Sequence, residues 1–200
     1  MARWEPDARG RLLHAAVDLF AERGYEATTA AQIAERAGLT KTTLFRHFAD
    51  KREILFQGQE ALVALAVDGV AGAPAGSTPF EVLHAGVFAL CTMHPAERRA
   101  DQRGIDALLA SSPELQERAV FKRSTITEAL RRSLAERLGD DRQAAVLADL
   151  GVRAYYGGFA VWIASPVDGP LADVVADELT AYEAAVGSLG ATTLASSSAG

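Results

Sequence analysis

The sequence predicts an all-α fold of about nine helices, and three observations lead to this prediction. Apolar residues recur at spacings of three and four along most of the chain, and no segment shows the sustained alternation of a strand. Two hundred residues with 49% hydrophobic content are enough to bury a sizeable core. Helix-start signals recur as three capping boxes: Thr29 with Gln32, Asp50 with Glu53, and Thr78 with Glu81.

In chain order, the predicted helices begin at capping residues or prolines and continue through apolar positions at helical spacing. They cover residues 7–23, 29–36, 40–47, 50–68, 79–93, 97–110, 113–138, 141–164 and 170–188. The Gly/Ala/Pro-rich segment 69–78 is expected to be a loop. The predicted domains are a DNA-binding domain over residues 1–52, a larger helical domain over 53–189, and a low-complexity, disordered tail over 190–200.

Composition excludes several classes of protein. Cys91 is the only cysteine, so neither an intrachain disulfide nor a thiolate metal cluster is expected. The uncharged run at 154–167 is too short to cross a bilayer, and the first ten residues lack the apolar stretch of a signal peptide. We therefore expect a cytoplasmic protein that needs neither a cofactor nor a metal ion.

Charge is distributed unequally along the chain. Residues 1–56 contain nine Lys and Arg against eight Asp and Glu, whereas 57–200 contain eleven against eighteen, so the net charges are +1 and −7. A near-neutral N-terminal part can bind nucleic acid if its cations lie on one face, so this charge permits DNA binding without requiring it.

The segment AGLTKTTLFRHF, residues 37–48, has the pattern of a helix-turn-helix. Gly38 ends one helix, Thr40 caps the next, and Leu44 and Phe48 lie four apart on its apolar face. The opposite face then carries hydrogen-bonding groups and cations outward: Lys41, Thr42, Thr43 and Arg46. Such a face is typical of a helix that enters the major groove of DNA.

Residues 24–55 resemble the DNA-binding domain of TetR-type transcriptional regulators. The positions that match the pattern of that family are Thr28, Thr29, Ile33, Ala34, Ala37, Gly38, Thr40, Leu44, Phe45, His47, Phe48, Lys51 and Leu55. The pattern allows tyrosine or phenylalanine at Phe45, but tyrosine is the common residue there, and a phenylalanine cannot donate a hydrogen bond to phosphate.

The resemblance implies a role for each matching polar residue. Lys41, Thr42 and Thr43 are expected to contact base edges in the major groove. The lysine suits guanine, and the threonines can bind bases or phosphates through their hydroxyl groups or contact a thymine methyl group. Thr29 and Thr40, at the N-termini of their helices, are expected to lie near DNA phosphates. His47 and Lys51 are expected to bind phosphates of the DNA backbone. The alternatives are structural: the two threonines cap helices in any case, and Arg46 and His47 can be ordinary surface residues.

The last two predicted helices carry stripes that need a partner. We predict that they pair with a second copy of the chain in a four-helix interface, as the two half-sites of a palindrome would require. The residues assigned to that interface are Leu150, Gly157, Val161, Val175, Leu179, Tyr182 and Val186. The alternative is that both stripes belong to the core of one chain.

A small-molecule site is expected in the larger domain. Aromatic and thiol side chains with a few polar groups can line an apolar cavity, although they can equally fill a core. The candidate residues are Phe88, Cys91, His94, Arg103, Arg123, Tyr155, Tyr156, Phe159 and Trp162. The segment around SPELQER resembles, loosely, TetR-type regulators linked to acyl-CoA-like ligands, which implies that the arginines contact phosphate. The alternatives are an uncharged hydrophobic effector and arginines paired with nearby acids, Glu128 among them.

The predicted function is that of a homodimeric, ligand-responsive repressor that binds a palindromic operator and is released by a small molecule. Two other functions stay open at this point. One is a helical enzyme that uses His47, His94 or Cys91, and the other is a protein-interaction module without operator binding.

Overall fold

In the computed structural model, residues 7–166 and 168–197 are described, with side chains as far as Ser188, and within these ranges the protein is all-α, as predicted. The helices are α1 (Ala8–Arg23), α2 (Ala30–Arg36), α3 (Lys41–His47), α4 (Gln59–Ala71), α5 (Pro79–Cys91), α6 (Arg99–Ala110), α7 (Pro113–Leu138), α8 (Asp141–Ala164) and α9 (Leu171–Ser197). A short 3₁₀ helix, Ala96–Arg98, precedes α6. No helix in the described ranges is long and apolar enough to cross a membrane.

The helices form two compact units, which differ from the predicted domains. Unit 1 runs to Gln59 and also takes in Asp101–Lys122, and unit 2 comprises Glu60–Ala100 and the chain from Arg123 onward. The predicted boundary after residue 52 therefore lies too early, and it misses the return of α6 and the start of α7 to the N-terminal unit. Sequence patterns of one helix at a time do not reveal such a return.

The core of unit 1 holds α1, α2 and α3 together. Leu44 and Phe48 are buried and belong to the same apolar cluster as Ile33 of α2. From α1 come Leu12, Ala15, Ala16, Leu19 and Phe20. Leu115 at the start of α7 is also fully buried in this cluster. The apolar side of α3 is thus fixed, which leaves its other side for solvent.

The core of unit 2 is built from α4, α5, α7, α8 and α9. Tyr155 and Trp162 are its largest fully buried side chains. Gly158 of α8 lies directly against α9: a Cβ atom there would be 2.8 Å from Cγ2 of Val175 and 3.2 Å from its backbone nitrogen. Only glycine allows the two helices to approach this closely.

Two predicted segments are wrong. Residues 51–58 form turns, so the helix predicted over 50–68 begins only at Gln59. Asp50 does accept hydrogen bonds from the backbone N–H groups of Arg52 and Glu53, but the Glu53 side chain binds Arg118 instead of completing the capping box. The tail predicted to be disordered over 190–200 is helical as far as Ser197, because α9 continues, and 198–200 lie outside the described residues.

Candidate nucleic-acid interface

The turn between α2 and α3 is held by backbone and arginine contacts. Gly38 has a φ of 66°, and the N–H of Leu39 donates to the carbonyl of Ala34 at 2.8 Å, which closes the helix end as a Schellman motif. The Arg11 guanidinium donates to the carbonyl of Ala37 from the neighbouring α1. The angle at which α3 leaves α2 is therefore set by contacts from α1 and from within the turn.

Both threonine caps form as predicted. The Thr29 hydroxyl accepts from the N–H of Gln32, and the Gln32 side chain accepts from the N–H of Thr29, so this capping box is complete. The Thr40 hydroxyl accepts from the N–H of Thr43 at 3.1 Å. The hydroxyls of Thr40 and Thr43 also lie 2.9 Å apart, so the Thr43 hydroxyl already has one polar partner. The Thr43 side chain is half-buried.

The outward side of α3 carries four exposed side chains: Lys41, Thr42, Phe45 and Arg46. The Lys41 ammonium lies 5.7 Å from the centre of the Phe45 ring, within the range of a cation–π contact. Arg46 forms no ion pair with any residue that the structure describes. This face can offer two cations, a hydroxyl and an apolar ring to a partner.

Lys51 and His47 are placed differently from those four residues. The Lys51 ammonium donates to the carbonyls of Tyr25 at 2.7 Å and Thr28 at 3.0 Å, so it is engaged within unit 1. His47 is half-buried, and its Nε2 is enclosed without a hydrogen-bond partner among the described groups. The resemblance to TetR-type regulators implies that both residues contact the DNA backbone, whereas the contacts of Lys51 also give it a structural role.

Ion pairs hold the turns after α3 to the start of α7. Glu53 pairs with Arg118 at 2.5 Å and with Lys122 at 3.3 Å, and Arg52 pairs with Asp50 and Glu114. Burial of Glu53 disfavours its charge, but the two cations outweigh this effect and lower the pKa of the carboxyl group. Sequence reasoning missed this cluster, because its partners are about 65 residues apart along the chain.

Unit 2 contains an open cavity of about 630 Å³ between α7, α8 and α9. Its lining residues are Arg123, Thr127, Asp149, Val152, Arg153, Tyr156, Gly157 and Tyr182. The Arg123 guanidinium lies 4.1 Å from the centre of the Tyr156 ring. Burial raises the pKa of Tyr156, and the nearby Arg123 charge opposes this rise. The cavity thus presents two guanidinium groups, one carboxylate and two phenols.

Sequence reasoning found only part of this lining. Arg123 and Tyr156 were assigned to a ligand site, and Gly157 and Tyr182 were assigned to a dimer interface. Asp149 and Arg153 were missed, although their spacing of four with Gly157 places all three on one side of α8. Arg123 does not pair with Glu128, since that carboxylate binds Arg131 and Arg132.

The other residues assigned to a ligand site are divided between the core and the surface. Cys91, Tyr155 and Trp162 are buried, and Phe88 and Phe159 are half-buried beside the same core. Arg103 lies on α6 in unit 1, whereas the other candidates belong to unit 2, and its contact with a ligand stays a prediction. Burial raises the pKa of the Cys91 thiol to about 12, so this cysteine stays protonated and unreactive at neutral pH.

His94 lies against the same core. Its Nε2 is 2.7 Å from the Tyr155 hydroxyl, and its ring lies 4.9 Å from the Phe159 ring. Its Nδ1 is buried without a hydrogen-bond partner among the described groups. Burial lowers the pKa of His94 to about 4, so the ring is neutral at physiological pH.

The residues assigned to a dimer interface fall into two groups. Val175 and Leu179 are fully buried in the core of unit 2, and their assignment to the interface is wrong. Val175 packs against Gly158 of α8, so this part of the apolar stripe of α9 reflects packing within the chain. Val161 and Val186 are exposed, Leu150, Gly157 and Tyr182 are half-buried, and Val146, which sequence reasoning missed, is 57% exposed.

Comparison with known proteins gives a clear result for the N-terminal segment. Residues 12–57 match the family described as bacterial regulatory proteins, tetR family. The transcriptional activator FasR of Mycolicibacterium smegmatis is 41% identical over 64 residues, or 32% of this chain and 29% of FasR. The transcriptional repressor KstR2 of Mycobacterium tuberculosis is 49% identical over 47 residues, or 24% of each protein. The matched segments therefore span less than a third of either relative.

A solved structure resembles a larger part of the chain. It is the crystal structure of Thermus thermophilus FadR, a TetR-family transcriptional repressor in complex with lauroyl-CoA. The TM-score is 0.50 at 26% identity, and the alignment covers 86% of this chain and 91% of FadR. All three relatives are transcriptional regulators and not enzymes, so they give no support to the alternative of a helical enzyme.

Proposed function

We propose that this chain, whose residues 12–57 belong to the TetR family of bacterial regulatory proteins, is a ligand-responsive transcriptional repressor that binds a palindromic operator as a homodimer. The observation that carries the proposal is the outward face of α3, where Lys41, Thr42, Phe45 and Arg46 are exposed above a buried apolar side. Repression is proposed in preference to activation because FadR, whose alignment covers most of the chain, is a repressor.

The proposed DNA contacts are of two kinds: contacts with base edges, which specify the sequence, and contacts with phosphates, which position the protein on the DNA. Lys41 is suited to the O6 and N7 acceptors of guanine, and the exposed Thr42 hydroxyl can donate to or accept from a base. Arg46, which has no ion pair among the described residues, is placed to bind a phosphate. Thr43 is a weaker candidate for base reading because its hydroxyl is bonded to Thr40. A net charge of −6 over the whole chain makes this local cluster of cations more important for DNA affinity.

The proposed dimer interface is the outward side of α8 and α9. Val146, Val161 and Val186 are 57%, 52% and 42% exposed, which is unusual for valines on helices whose inner faces are buried. Leu150 and Gly157 lie on the same side of α8 at helical spacing. A two-fold pairing of this surface buries the valines and gives a dimer with two copies of α3, one for each half-site of a palindrome.

The proposed effector site is the cavity between α7, α8 and α9. Arg123 and Arg153 suit a phosphate or carboxylate, and Tyr156 and Tyr182 give apolar surface and hydroxyl groups. Asp149 reduces the positive charge, so the site favours a ligand with an anionic group and a larger uncharged part over a small anion. An acyl-CoA has this composition, and FadR was crystallised with lauroyl-CoA.

The experiment is fluorescence anisotropy on DNA from upstream of the gene, over a salt series, with and without lauroyl-CoA. We expect tight binding that depends on a palindrome, a steep negative dependence on salt concentration, and release by lauroyl-CoA. Arg123→Gln is expected to keep DNA binding and to need more lauroyl-CoA for release. Arg142→Gln, on an exposed part of α8 outside the cavity, is the matched control.

The outcomes separate the parts of the proposal. DNA binding that ignores lauroyl-CoA would retain the regulator and reject this effector class in favour of an uncharged hydrophobic compound. Equal responses of the Arg123→Gln and Arg142→Gln variants would reject the cavity as the effector site. Absence of sequence-dependent binding to any DNA would favour the interaction module, and Lys41→Ala would then leave partner binding unchanged.

A further inference from the structure

We infer that Phe45 reads the C5-methyl group of a thymine, and that Lys41 and Phe45 together specify a guanine and a thymine in each half-site. The inference rests on the proposed function, because it concerns the operator that the regulator would bind. It assigns a specificity-determining role to the residue at which the chain departs from the tyrosine common in TetR-type regulators.

The first observation is the exposure of the Phe45 ring. Its neighbour Leu44 is fully buried and Phe48 is 4% exposed, whereas Phe45 is 46% exposed. The ring therefore points away from the core of unit 1, on the face that also carries Lys41 and Thr42. Part of the ring is covered within unit 1, and the exposed remainder of its apolar surface is available to a partner.

The second observation is the chemistry that the ring lacks. A tyrosine in this position could donate a hydrogen bond to a phosphate, but a phenylalanine offers only an apolar surface. The major groove has one apolar feature that distinguishes a base pair, the methyl group of thymine, and phenylalanine is among the side chains that contact it. A contact of Phe45 with DNA bases thus favours thymine over cytosine.

The third observation is the position of the Lys41 ammonium, 5.7 Å from the centre of the Phe45 ring. Lys41 and Phe45 are four residues apart, or about 6 Å along the helix axis. Base pairs are stacked about 3.4 Å apart, so the two side chains reach base pairs one or two steps apart. Attraction to the ring restricts the flexible lysine, which orients its ammonium towards the acceptors of a guanine beside the thymine.

The test removes the methyl group and nothing else. DNA selected by the wild-type protein from a random pool defines the half-site, and each thymine is then replaced in turn by uracil. We expect uracil at the contacted thymine of one half-site to weaken binding about fourfold, as for loss of one buried methyl group. Uracil at the contacted thymines of both half-sites is expected to weaken binding about fifteenfold. The Phe45→Ala protein is expected to bind the thymine and uracil forms of that site equally.

Two further variants test the assignment of the contact. Thr42→Ser removes the methyl group of Thr42, the other exposed residue of α3 with an apolar group suited to a thymine methyl, and it is expected to keep the sensitivity to uracil. Lys41→Ala is expected to lose the preference for guanine beside the sensitive thymine. Because Phe45 is exposed, Phe45→Ala is expected to keep the wild-type thermal midpoint of unfolding. A measured midpoint equal to that of the wild type excludes unfolding as the cause of lost sensitivity to uracil.

Several outcomes would overturn the inference. Binding that tolerates uracil at every thymine would do so, as would equal sensitivity of the wild-type and Phe45→Ala proteins, while the proposed function would stand. Loss of sensitivity in Thr42→Ser would assign the methyl contact to Thr42. If no DNA sequence is selected at all, the proposed function fails, and this inference fails with it.

Discussion

The ammonium group of Lys51 lies 4.0 Å from the centre of the Tyr25 ring and donates a hydrogen bond to the Tyr25 carbonyl at 2.7 Å. A second bond runs to the Thr28 carbonyl, so two of its three N–H groups have partners in the turn between α1 and α2. Lys51 thereby ties the turns that follow α3 to the opposite end of the helix-turn-helix. This contact makes a structural role as natural for Lys51 as the phosphate contact expected from the sequence.

Replacing Lys51 distinguishes the two roles. We expect Lys51→Met to lower the free energy of unfolding by about 1–3 kcal/mol, because two partly buried carbonyls lose a charged donor. If the lysine acts mainly within unit 1, the dependence of log K on log salt concentration should keep its wild-type slope. Urea unfolding and DNA binding over a salt series are the measurements.

Arg46→Ala is the control for the Lys51 experiment. Arg46 is exposed, so its removal is expected to leave the unfolding free energy within about 0.5 kcal/mol of wild type. A phosphate contact by Arg46 in each protomer would make the salt slope of Arg46→Ala shallower by about one unit per protomer, or about two units for the dimer. A wild-type stability for Lys51→Met with a reduced salt slope would instead support the phosphate role of Lys51.

Glu53 is expected to stabilise the turns between α3 and α4. Glu53→Gln leaves Arg118 and Lys122 without their common carboxylate, and we expect a loss of roughly 1 kcal/mol in the free energy of unfolding at pH 7. Because the pKa of Glu53 is lowered in the fold, this contribution is complete above its ordinary value of 4.5 and disappears as pH falls through the folded value. Urea titrations at several pH values measure both effects.

The more exposed Glu128, which pairs with Arg131 and Arg132, is the matched control for Glu53. Its replacement by glutamine is expected to have a smaller effect, since solvent screens surface ion pairs. Equal losses for the two variants would contradict the idea that Glu53 connects the turns to α7.

Local signals in the sequence predict local structure well. The Thr29 and Thr78 capping boxes form as expected, because donor and acceptor lie three residues apart and face few competitors. The Asp50 and Glu53 pair has the same spacing, yet no helix starts there. Glu53 is bound by Arg118 and Lys122 from α7, and a contact over about 65 residues leaves no trace in a local pattern.

The same distinction applies to the candidate sites. The outward residues of α3 follow from helical spacing, because Leu44 and Phe48 fix which side is buried. The cavity of unit 2 combines residues from three helices, so a sequence read one helix at a time names Arg123 and Tyr156 as candidates but does not group them with Arg153. On α9, helical spacing identified the apolar residues but not whether Val175 faces its own chain or a second copy.

The two neighbouring glycines of α8 are expected to respond differently to substitution. A Cβ at Gly158 would meet Val175 at 2.8 Å, so Gly158→Ala is expected to push α8 from α9 and to cost about 1–3 kcal/mol. At Gly157 the nearest atom to such a Cβ is the Glu178 carboxylate at 3.6 Å, an ordinary contact. Gly157→Ala is therefore expected to leave the stability of unit 2 close to wild type. Thermal unfolding of the two variants is the measurement.

Gly157 also tests the proposed dimer. Gly157→Leu projects a larger side chain from the half-buried side of α8, and we expect it to weaken dimerisation in analytical ultracentrifugation. Arg142→Leu, near the start of the same helix, is the control for added apolar surface. An unchanged dimer in Gly157→Leu would place the interface elsewhere.

His94 is expected to make the stability of the protein sensitive to mild acid. Burial holds its pKa at about 4 in the fold against 6.5 for the exposed ring, so below pH 6.5 the unfolded chain takes up a proton that the folded chain excludes. The contribution of His94 to stability is therefore complete above pH 6.5 and falls towards pH 4, and the loss between pH 7 and pH 5 is about 2 kcal/mol.

His94→Gln, which keeps a polar group near Tyr155, should remove this part of the pH dependence in urea unfolding. A wild-type pH dependence in His94→Gln would mean that the His94 ring is protonated in the fold and that its contact with Tyr155 does not exclude solvent.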